Sequence, residues 1–456
     1  MFIHSFSMSY GFSKKAGYQT LSVPDRAPAG GLLNVCLNLS RVLESPWVIF
    51  LVALTVRLLV MVYMQSFQIQ DTWKFGFETG RIASSIASGH GFSSPLQGPS
   101  GPTAWLPPVY PYMLAGIFKF FGIYSSGSAL VALTLNSVFS ALTCVTIFHI
   151  GRKTFGPKVA SWAGWSWAFF PYAVFWSTNW VWATSLSALL FSLICLSALQ
   201  LERYNSSRPW FGFGVLWGVI GLTDTALLSI LPFFVGWLYY RLSRQGVALP
   251  RAISACAVGF LLILTPWLVR NYLTFGEFVF VKGNFGMELH LGNHEGSSGL
   301  SGGRLLHPAG NDGEFERFRQ MGELSYVKES KRQALDFIAT HPGTFIWLTL
   351  RRVVYFWTGN SQLLQIFPLS GRFEAARYIL FTLVSVLAFW GLFSAFRNGH
   401  PAVPLFAIIL IVFPLVYYVT HPTPRYRHPI EPAMVLLATY VMKKILSKPF
   451  TRRGEV

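Results

Sequence analysis

The chain has 456 residues, of which 52% are hydrophobic and only 12% are charged, and its formal net charge is +18. A soluble protein of this length would divide into several domains, but a mean hydropathy of +0.45 excludes an ordinary soluble composition. Apolar segments near 20 residues recur along the whole chain, and this is the length that a hydrocarbon core of about 30 Å requires. The composition therefore predicts an all-α polytopic membrane protein.

The amino-terminal residues 1–45 are polar and basic, and they contain no uninterrupted apolar stretch of the kind found in a cleavable signal peptide. We interpret them as a cytoplasmic tail. The first predicted span, 47–64, contains Arg57. A charge at that depth costs about 2.5–3.5 kcal/mol on insertion scales, so we expect Arg57 to face protein or water.

The segment 65–125 is predicted to form the first outer loop. It contains Asp71 and Glu78, which are seven residues apart and would share one face of a helix. An apolar segment at 112–122 is too short to span a membrane and carries Lys119. We expect this segment to be a re-entrant or juxtamembrane helix.

Nine further spans are predicted, at about 129–150, 159–178, 181–200, 209–223, 225–240, 252–269, 378–396, 402–420 and 429–446. The joints after the second, fourth and sixth spans are rich in Lys and Arg, and the joints between them have almost none. Ten spans with both termini in the cytoplasm fit the positive-inside rule. The excess positive charge is then an orientation signal, so nucleic acid is not expected as a partner.

A polar region at 270–377 is too long for a simple connection. Its first part is rich in Gly and Asn and indicates β-like structure, and a charged amphipathic helix is predicted at about 313–340. The next predicted helix carries an Arg351-Arg352 pair, which favours an interfacial position. The predicted organisation is a tail at 1–45, a membrane domain at 46–446 with outer loops at 65–125 and 270–377, and a basic cytoplasmic tail at 447–456.

Three sequence patterns resemble one family. The pattern E-x-x-R-I-A-x-x-x-A-x-G-x-G-F at 78–92, followed by G-P-T-A-W-L-P-P-V-Y-P at 101–111, resembles the first external loop of GT-C superfamily membrane glycosyltransferases. T-P-W-L-V-R-N-Y at 265–272 and R-Y-R-H-P-I-E-P at 425–432 agree with this resemblance. The nearest groups are the bacterial relatives of protein O-mannosyltransferase (glycosyltransferase family 39) and of the lipid A aminoarabinose transferase.

The resemblance implies an enzyme that takes a sugar from a polyprenyl-phosphate carrier and transfers it to a protein, lipid or glycan acceptor outside the cytoplasmic membrane. It also implies that an acid in the first outer loop is the catalytic base. In the family this acid is usually an Asp near the start of the helix, which leaves Asp71 and Glu78 as candidates. The Ala-x-x-x-Ala-x-Gly spacing that follows favours Glu78.

The chemistry of sugar transfer requires a carboxylate for its own reasons. An acceptor hydroxyl must lose its proton as it attacks the anomeric carbon, and a positioned, partly desolvated carboxylate is a suitable general base. The alternative is that Glu78 is a solvated helix acid paired with Arg81 or Lys74.

Cations near the bilayer surface are needed to stabilise the departing lipid phosphate. Arginine can present two donors to two phosphate oxygens, and Arg270, Arg425 and Arg427 are predicted at the outer ends of spans. Snorkelling anchors occupy the same positions. Tyr426 is either a hydrogen-bond partner of the carrier or an interfacial aromatic residue.

The opening of the region 270–377 offers a weaker set of sugar-site candidates, Lys282, Asn284, Glu288, His290, Asn293 and His294. An ordinary surface loop would have the same composition. The histidines lack the H-E-x-x-H spacing of a zinc site, and the four cysteines indicate neither a disulfide framework nor a metal cluster. We interpret Asp224, between the fifth and sixth spans, as a solvated turn residue.

The sequence thus predicts an inverting glycosyltransferase of the inner membrane, in contact with membrane lipids, with its active site on the outer face and no cofactor. The main alternative is a transporter or flippase of lipid-linked sugars, which would place charges near the bilayer midplane and show repeats. Only Arg57 and Lys119 lie within apolar segments. A non-catalytic scaffold of the same fold is a further alternative, and the presence of both Asp71 and Glu78 argues against it.

Overall fold

The computed structural model describes residues 42–69, 72–201, 206–243, 249–300, 305–359 and 371–447. Asp71, the predicted tail up to residue 41 and the basic residues 448–456 lie outside the described residues. Within the described ranges the regular structure is helical, and the β contacts amount to one isolated bridge between Ser93 and Pro102. The predicted all-α fold is confirmed.

The first part of the chain forms two helices of the outer loop and a set of longer apolar helices. In chain order these are α1 (Pro46–Tyr63), α2 (Glu78–Ala87), α3 (Val109–Phe121), α4 (Ser126–Thr154), α5 (Pro157–Ala168), α6 (Pro171–Asn179), α7 (Thr184–Ala198), α8 (Ser207–Gly221), a 3₁₀ helix (Thr225–Ile230), α9 (Leu231–Ser243) and α10 (Leu249–Phe275).

The second part begins with four helices of the outer region, which we define as residues 270–377, and ends with apolar helices. These are α11 (Phe285–Gly292), α12 (Asp312–Met321), α13 (Glu323–Thr340), α14 (Pro342–Thr358), α15 (Gly371–Arg397), α16 (Val403–Val412), α17 (Leu415–Val419), α18 (Pro424–Arg427), a 3₁₀ helix (His428–Ile430) and α19 (Glu431–Leu446).

Five helical segments in the described part are long and apolar enough to cross a membrane, namely Pro46–Tyr63, Ser126–Thr154, Thr225–Ser243, Pro250–Phe275 and Ala376–Arg397. Shorter apolar helices accompany them at Val109–Phe121, Thr184–Ala198 and Val403–Val419. A multi-pass membrane protein is therefore supported. Each predicted span coincides with helical structure, but the third is divided into α5 and α6, the sixth into a 3₁₀ helix and α9, and the ninth into α16 and α17. The total of ten crossings stays a prediction.

Arg57 lies within α1 and is completely buried. Its guanidinium donates to Ser140 Oγ at 3.0 Å and to the carbonyl oxygens of Ala53, Trp167 and Ala168 at 2.9, 3.3 and 3.0 Å. Two of these carbonyls belong to the end of α5, where the helix leaves them without helical partners. The expectation that Arg57 faces protein is confirmed, and its role is to bond the break between α5 and α6.

The β-like expectation for the start of the outer region is wrong. Residues 278–281 do alternate between exposed Phe and buried Val side chains, which is the pattern of a half-buried strand. Their carbonyl groups, however, accept hydrogen bonds from the side-chain amide of Asn271 on α10. The next segment forms α11 because its Met, Glu and Leu residues favour a helix.

The charged helix predicted at 313–340 is two helices, α12 and α13. Gly322 separates them with a φ of +75°, a conformation that glycine adopts without the steric penalty of a side chain. The prediction placed the amphipathic sequence correctly but missed the break, because a single Gly in a helical pattern is often tolerated.

The outer region is bonded to the first outer loop through a buried carboxyl group. Glu323, at the start of α13, accepts hydrogen bonds from Thr103 Oγ1 and, at 2.7 Å, from the backbone N–H of Ala104. Burial raises the pKa of Glu323 to about 7, although these two hydrogen bonds and the charge of Arg270 act in the opposite direction. Two chain segments more than 200 residues apart are thereby joined.

The adjacent residues Arg351 and Arg352 of α14 have different environments. Arg352 is completely buried. Its guanidinium donates to five acceptors, the carbonyls of Gly292, Gly299, Tyr418 and Val419 and the side chain of Asn293. Four of these acceptors lie at the ends of α11 and α17. Arg351 instead donates to Tyr355, one turn along the same helix.

We expect Arg352→Ala to lower the melting temperature strongly, since each buried polar group left without a partner costs about 1–3 kcal/mol. The matched control Arg351→Ala should change it little, because a substitution at a partly exposed surface position stays within about 0.5 kcal/mol. Unfolding can be followed in detergent with a thiol-reactive fluorophore, because Cys144 and Cys195 are buried in the folded protein. Equal losses in the two variants would contradict the structural role of Arg352.

Candidate active site

The turn between α6 and α7 supports the segment that leads to Glu78. The backbone N–H of Val181 donates to the carbonyl of Lys74 at 2.9 Å. Gly76 then passes so close to Trp182 that a Cβ atom built on it would lie 2.6 Å from the indole ring. Gly76 also has a φ of +78°. Only glycine fits this contact without displacing the chain.

Glu78 is the first residue of α2, a position at which a carboxylate interacts favourably with the helix dipole. Its side chain is 24% exposed, and its Oε1 lies 3.7 Å from Nε2 of His307 in the outer region. Arg81, one turn further along α2, donates to the carbonyl of Leu96 and lies over the ring of Phe77. An ion pair between Glu78 and Arg81 is therefore not formed within the described residues.

Arg425, on α18, lies over the ring of Trp182. The centre of its guanidinium is 4.4 Å from the centroid of the Trp182 ring and 5.2 Å from that of Tyr426. Burial opposes the charge of Arg425, but Tyr426, Glu78 and Glu288 outweigh this effect and raise its pKa above the ordinary value. Within the described residues no carboxylate or carbonyl oxygen accepts a hydrogen bond from Arg425, and its contacts are with the rings of Trp182 and Tyr426.

Glu288, on α11, carries a second carboxylate into this group. Its Oε2 is 2.9 Å from Nε2 of His421, and its Oε1 accepts from the side-chain amide of Asn284 at 3.0 Å. Burial opposes ionisation of Glu288, but His421, Lys282 and His307 together hold its pKa well below the usual range. Glu288 is therefore a stable anion, and Lys282 is close enough to act on it.

The structure corrects the interpretation of Asp224. It is half-buried rather than solvated, and burial raises its pKa, while Lys282, a hydrogen bond from Ser187 and the charge of Arg425 act in the opposite direction. Asp224 thus borders the same polar group as Arg425 and Lys282. The sequence could not show this, because a charged residue in a short joint is usually solvated.

The structure brings together five of the residues predicted from sequence, Glu78, Arg425, Tyr426, Lys282 and Glu288. We refer to these five, with Trp182, Asp224, His307 and His421, as the polar group. Seven of its nine members come from three segments, the first outer loop, the outer region and the segment before the last helix. These segments are far apart in the sequence, and their arrangement in the fold could therefore not be predicted from it.

Two predicted phosphate ligands lie elsewhere. Arg270 donates to the carbonyls of Thr103 and Phe92 at 2.7 and 2.9 Å, and it thereby bonds the first outer loop to α10. Arg427 is completely buried and donates to Glu431, at 2.8 and 3.0 Å, and to α15. Both guanidinium groups are bonded to the protein, Arg270 through Nη1 and Nη2, so neither is carried forward as a phosphate ligand.

His290 is also separate from the polar group. It is two residues from Glu288 on α11 and therefore points to a different side of the helix. Its charged neighbours are His294, Glu314, Arg317 and Glu329, and burial together with His294 lowers its pKa. His290 belongs to the packing of α11 against α13. Asp71, the other predicted acid, lies outside the described residues.

Trp182, His307 and His421 were not predicted. Trp182 belongs to a run of aromatic residues in an outer joint with no basic residue, N-W-V-W at 179–182, and this composition could have marked it. His421 lies four residues before Arg425, with which the last sequence pattern begins. His307 has no such signal, because only the fold brings it to Glu78.

No family model matches the sequence, and no curated protein matches it. Among solved structures, the chain is similar to the Archaeoglobus fulgidus oligosaccharyltransferase in complex with Zn and sulfate, at 14% identity and a TM-score of 0.50, over 86% of this chain and 49% of that chain. It is also similar to the same protein, AglB, with an inhibitory peptide and a dolichol-phosphate (14% identity, TM-score 0.48, 89% and 52% covered). A third similar structure is ArnT from Cupriavidus metallidurans bound to undecaprenyl phosphate (14%, 0.38, 87% and 78%).

The chain spans about half the length of the oligosaccharyltransferase chain. At this identity the likeness shows the fold. The oligosaccharyltransferase is a GT-C membrane glycosyltransferase, so the fold expected from the sequence motifs is confirmed. This chain shares the fold of the part of that protein which it matches.

Zinc is part of the description of one oligosaccharyltransferase structure. In the part of this chain that the structure describes, no group of three or more His, Cys, Asp and Glu side chains is arranged to hold a metal ion. The carboxylates of the polar group have other partners, since Glu288 bonds His421 and Asn284. We assign no described residue to a metal.

We expect Gly76→Ala to reduce the rate of sugar transfer by about 10²-fold, because a displacement of about 1 Å at a reacting group has an effect of this size. The new Cβ would contact Trp182 and shift Glu78. Gly89→Ala is the matched control, because Gly89 also has a positive φ of +84° but a Cβ added there would have no atom within 4 Å. Similar rates for the two variants would show that the Gly76 contact does not position Glu78.

Proposed function

We propose that this protein transfers a sugar from a polyprenyl-phosphate-linked donor to a hydroxyl group of a protein, lipid or glycan acceptor, with inversion at the anomeric carbon. The reaction takes place at the outer face of the cytoplasmic (inner) membrane, and both termini are in the cytoplasm. The partners are the lipid-linked donor, the acceptor and the surrounding membrane lipids. No cofactor is required, because the polyprenyl phosphate of the donor is itself the leaving group.

The observation that carries this proposal is the proximity of Glu78 to Arg425. Trp182 joins them, because its ring contacts Gly76, two residues before Glu78, and lies 4.4 Å from the guanidinium of Arg425; the charge of Glu78 also favours the charged form of Arg425. The two residues come from opposite ends of the membrane domain. A base and a cation for the leaving group are the two functions that sugar transfer from a phosphate requires. The arrangement supports an enzyme more directly than the fold alone does.

Arg425 is the proposed ligand of the donor phosphate. Arg57, Arg270, Arg352 and Arg427 donate to carbonyl or carboxylate oxygens of the protein, whereas Arg425 has Tyr426 and the face of Trp182. Its remaining N–H groups are available to two phosphate oxygens. As the bond to the sugar breaks, the phosphate gains charge that the guanidinium stabilises.

Glu78 is the proposed base. Its side chain is partly exposed, so an acceptor hydroxyl can approach it, and at the start of α2 the dipole of the helix favours the ionised form. The acceptor oxygen attacks the anomeric carbon from the side opposite the phosphate, and its proton passes to the Glu78 carboxylate. The phosphate leaves with the bonding electrons as polyprenyl phosphate.

A transporter of lipid-linked sugars receives less support. Transport through a bundle requires charged groups that line a pathway near the bilayer midplane. Within the described residues, the buried charges Arg57 and Arg427 are held by carbonyl oxygens and by Glu431. Both groups are completely buried, and most of their donors bond the protein, so they serve the packing of helices.

We expect Glu78→Gln to abolish sugar transfer while leaving membrane insertion and thermal stability unchanged, because the amide retains the shape of the side chain but cannot accept a proton. Asp71→Asn should have a milder effect. The assay uses purified protein with a defined polyprenyl-phosphate sugar and acceptor, and Glu316→Gln, an exposed acid of α12, is the control. Full activity of Glu78→Gln would refute the base assignment.

We expect Arg425→Ala to raise the KM for the donor by about tenfold or more, since a hydrogen bond to a charged group contributes about 1.5–3 kcal/mol. The control Arg319→Ala removes an exposed arginine of α12 and should leave donor kinetics unchanged. Arg427→Ala should instead lower the melting temperature, because it leaves Glu431 buried without its cation. Unchanged donor kinetics in Arg425→Ala would reduce Arg425 to a structural residue.

A further inference from the structure

A loop of the outer region covers Glu78. Residues 305–311 lie between α11 and α12, and they contact the first outer loop at three points. His307 faces Glu78 at 3.7 Å, its ring lies edge-on to Trp105 at 6.0 Å, and the carbonyl of Ala309 is 3.5 Å from the side-chain amide of Gln97. These contacts hold His307 against the first outer loop, and only 20% of its side chain is exposed.

The backbone fixes which nitrogen of His307 carries the proton. The N–H of Ala309 lies 3.0 Å from Nδ1 of His307. A backbone N–H can only donate, so Nδ1 must be the acceptor. In the neutral ring the proton is therefore on Nε2, and Nε2 is the atom that faces the Glu78 carboxylate.

We propose that His307 is a positioning residue for Glu78, and that its Nε2–H holds one carboxylate oxygen while the other accepts the proton of the acceptor. This inference rests on the proposed function. The separation of 3.7 Å is longer than a hydrogen bond, but catalytic hydrogen bonds are often long before substrate binds and shorten in the complex. Arg81 cannot replace His307, because its guanidinium is turned to Leu96 and Phe77.

The charges around Glu78 make a neutral donor suitable. Glu288 is a second carboxylate near His307, and both Glu78 and Glu288 act on the charge of Arg425. A second fixed cation beside Glu78 would stabilise the carboxylate further and weaken it as a base. An uncharged N–H donor orients the Glu78 carboxylate and weakens it as a base less than a second cation would.

Removal of the donor has a specific consequence for pH dependence. The N–H stabilises the ionised form of Glu78, which is the form that accepts a proton. Without it, the carboxylate loses a contact that favours this form. The acidic limb of kcat/KM should therefore move to higher pH, whereas a purely structural defect would lower the rate by the same factor at every pH.

The experiment compares His307→Phe with His307→Gln. Phe keeps the edge contact with Trp105 but has no N–H, and Gln restores an N–H donor at a similar distance from the backbone. We measure kcat/KM against pH with a defined polyprenyl-phosphate sugar, together with the melting temperature of each variant. His90→Leu, which changes an exposed histidine of the first outer loop, is the control. If the Phe variant does not fold, His307→Ala provides the same test without added bulk.

We expect the acidic limb of His307→Phe to move up by about one pH unit, which corresponds to a single hydrogen bond to a charged group. His307→Gln should recover most of this shift, and His90→Leu should match the parent protein. A pH-independent loss that Gln does not rescue, or disappearance of the acidic limb, would overturn the inference. An unshifted His307→Phe profile with an inactive Glu78→Gln would refute only the role of His307, whereas an active Glu78→Gln would refute the proposed base itself.

Discussion

A guanidinium taken out of water must find acceptors for its N–H groups, because an unpaired buried charge is too costly to retain. Arg57, Arg270 and Arg352 meet this requirement with backbone carbonyls. The acceptors lie at places where regular hydrogen bonding stops: the end of α5, the first outer loop and the end of α17. Each arginine thereby fixes an irregular piece of backbone that the helices alone would leave undetermined.

The polar group depends on these fixed segments. Arg270 holds the carbonyls of Phe92 and Thr103, and Glu323 holds Thr103 and Ala104 from the opposite side. The first outer loop is thus bonded both to α10 and to the outer region. Arg425 has no carboxylate or carbonyl acceptor among the described residues, and this difference supports its proposed role as a ligand of the donor phosphate.

The sequence was sufficient for the fold class because helical spans leave a strong compositional signal. It was insufficient for the choice among arginines. Arg270, Arg425 and Arg427 have equivalent positions at the ends of predicted spans, and only their acceptors distinguish them. A similar limit applies to residues 278–281, whose alternation does place one face in and one face out. The hydrogen-bond partner of this segment is the side chain of Asn271 on α10, and no local sequence pattern reveals such a partner.

The site residues that sequence did identify are those with local motifs. Glu78 begins a recognisable pattern, and Arg425 begins another. Trp182 and His307 acquire their positions through contacts with residues more than 100 positions away. A single sequence carries no record of such pairs, so the support of Gly76 and the neighbour of Glu78 could be found only in the fold.

The contact of Trp182 with both Gly76 and Arg425 has a consequence for biosynthesis. A multi-pass chain is made and inserted from its amino terminus, so Glu78 and Trp182 reach the membrane long before Arg425 has been translated. The indole face that later receives the guanidinium is then uncovered. The polar group is complete only when the final helices arrive. A nascent chain arrested earlier would hold Glu78 without Arg425, so on the proposed function it would be inert toward lipid-linked sugars already present in the bilayer.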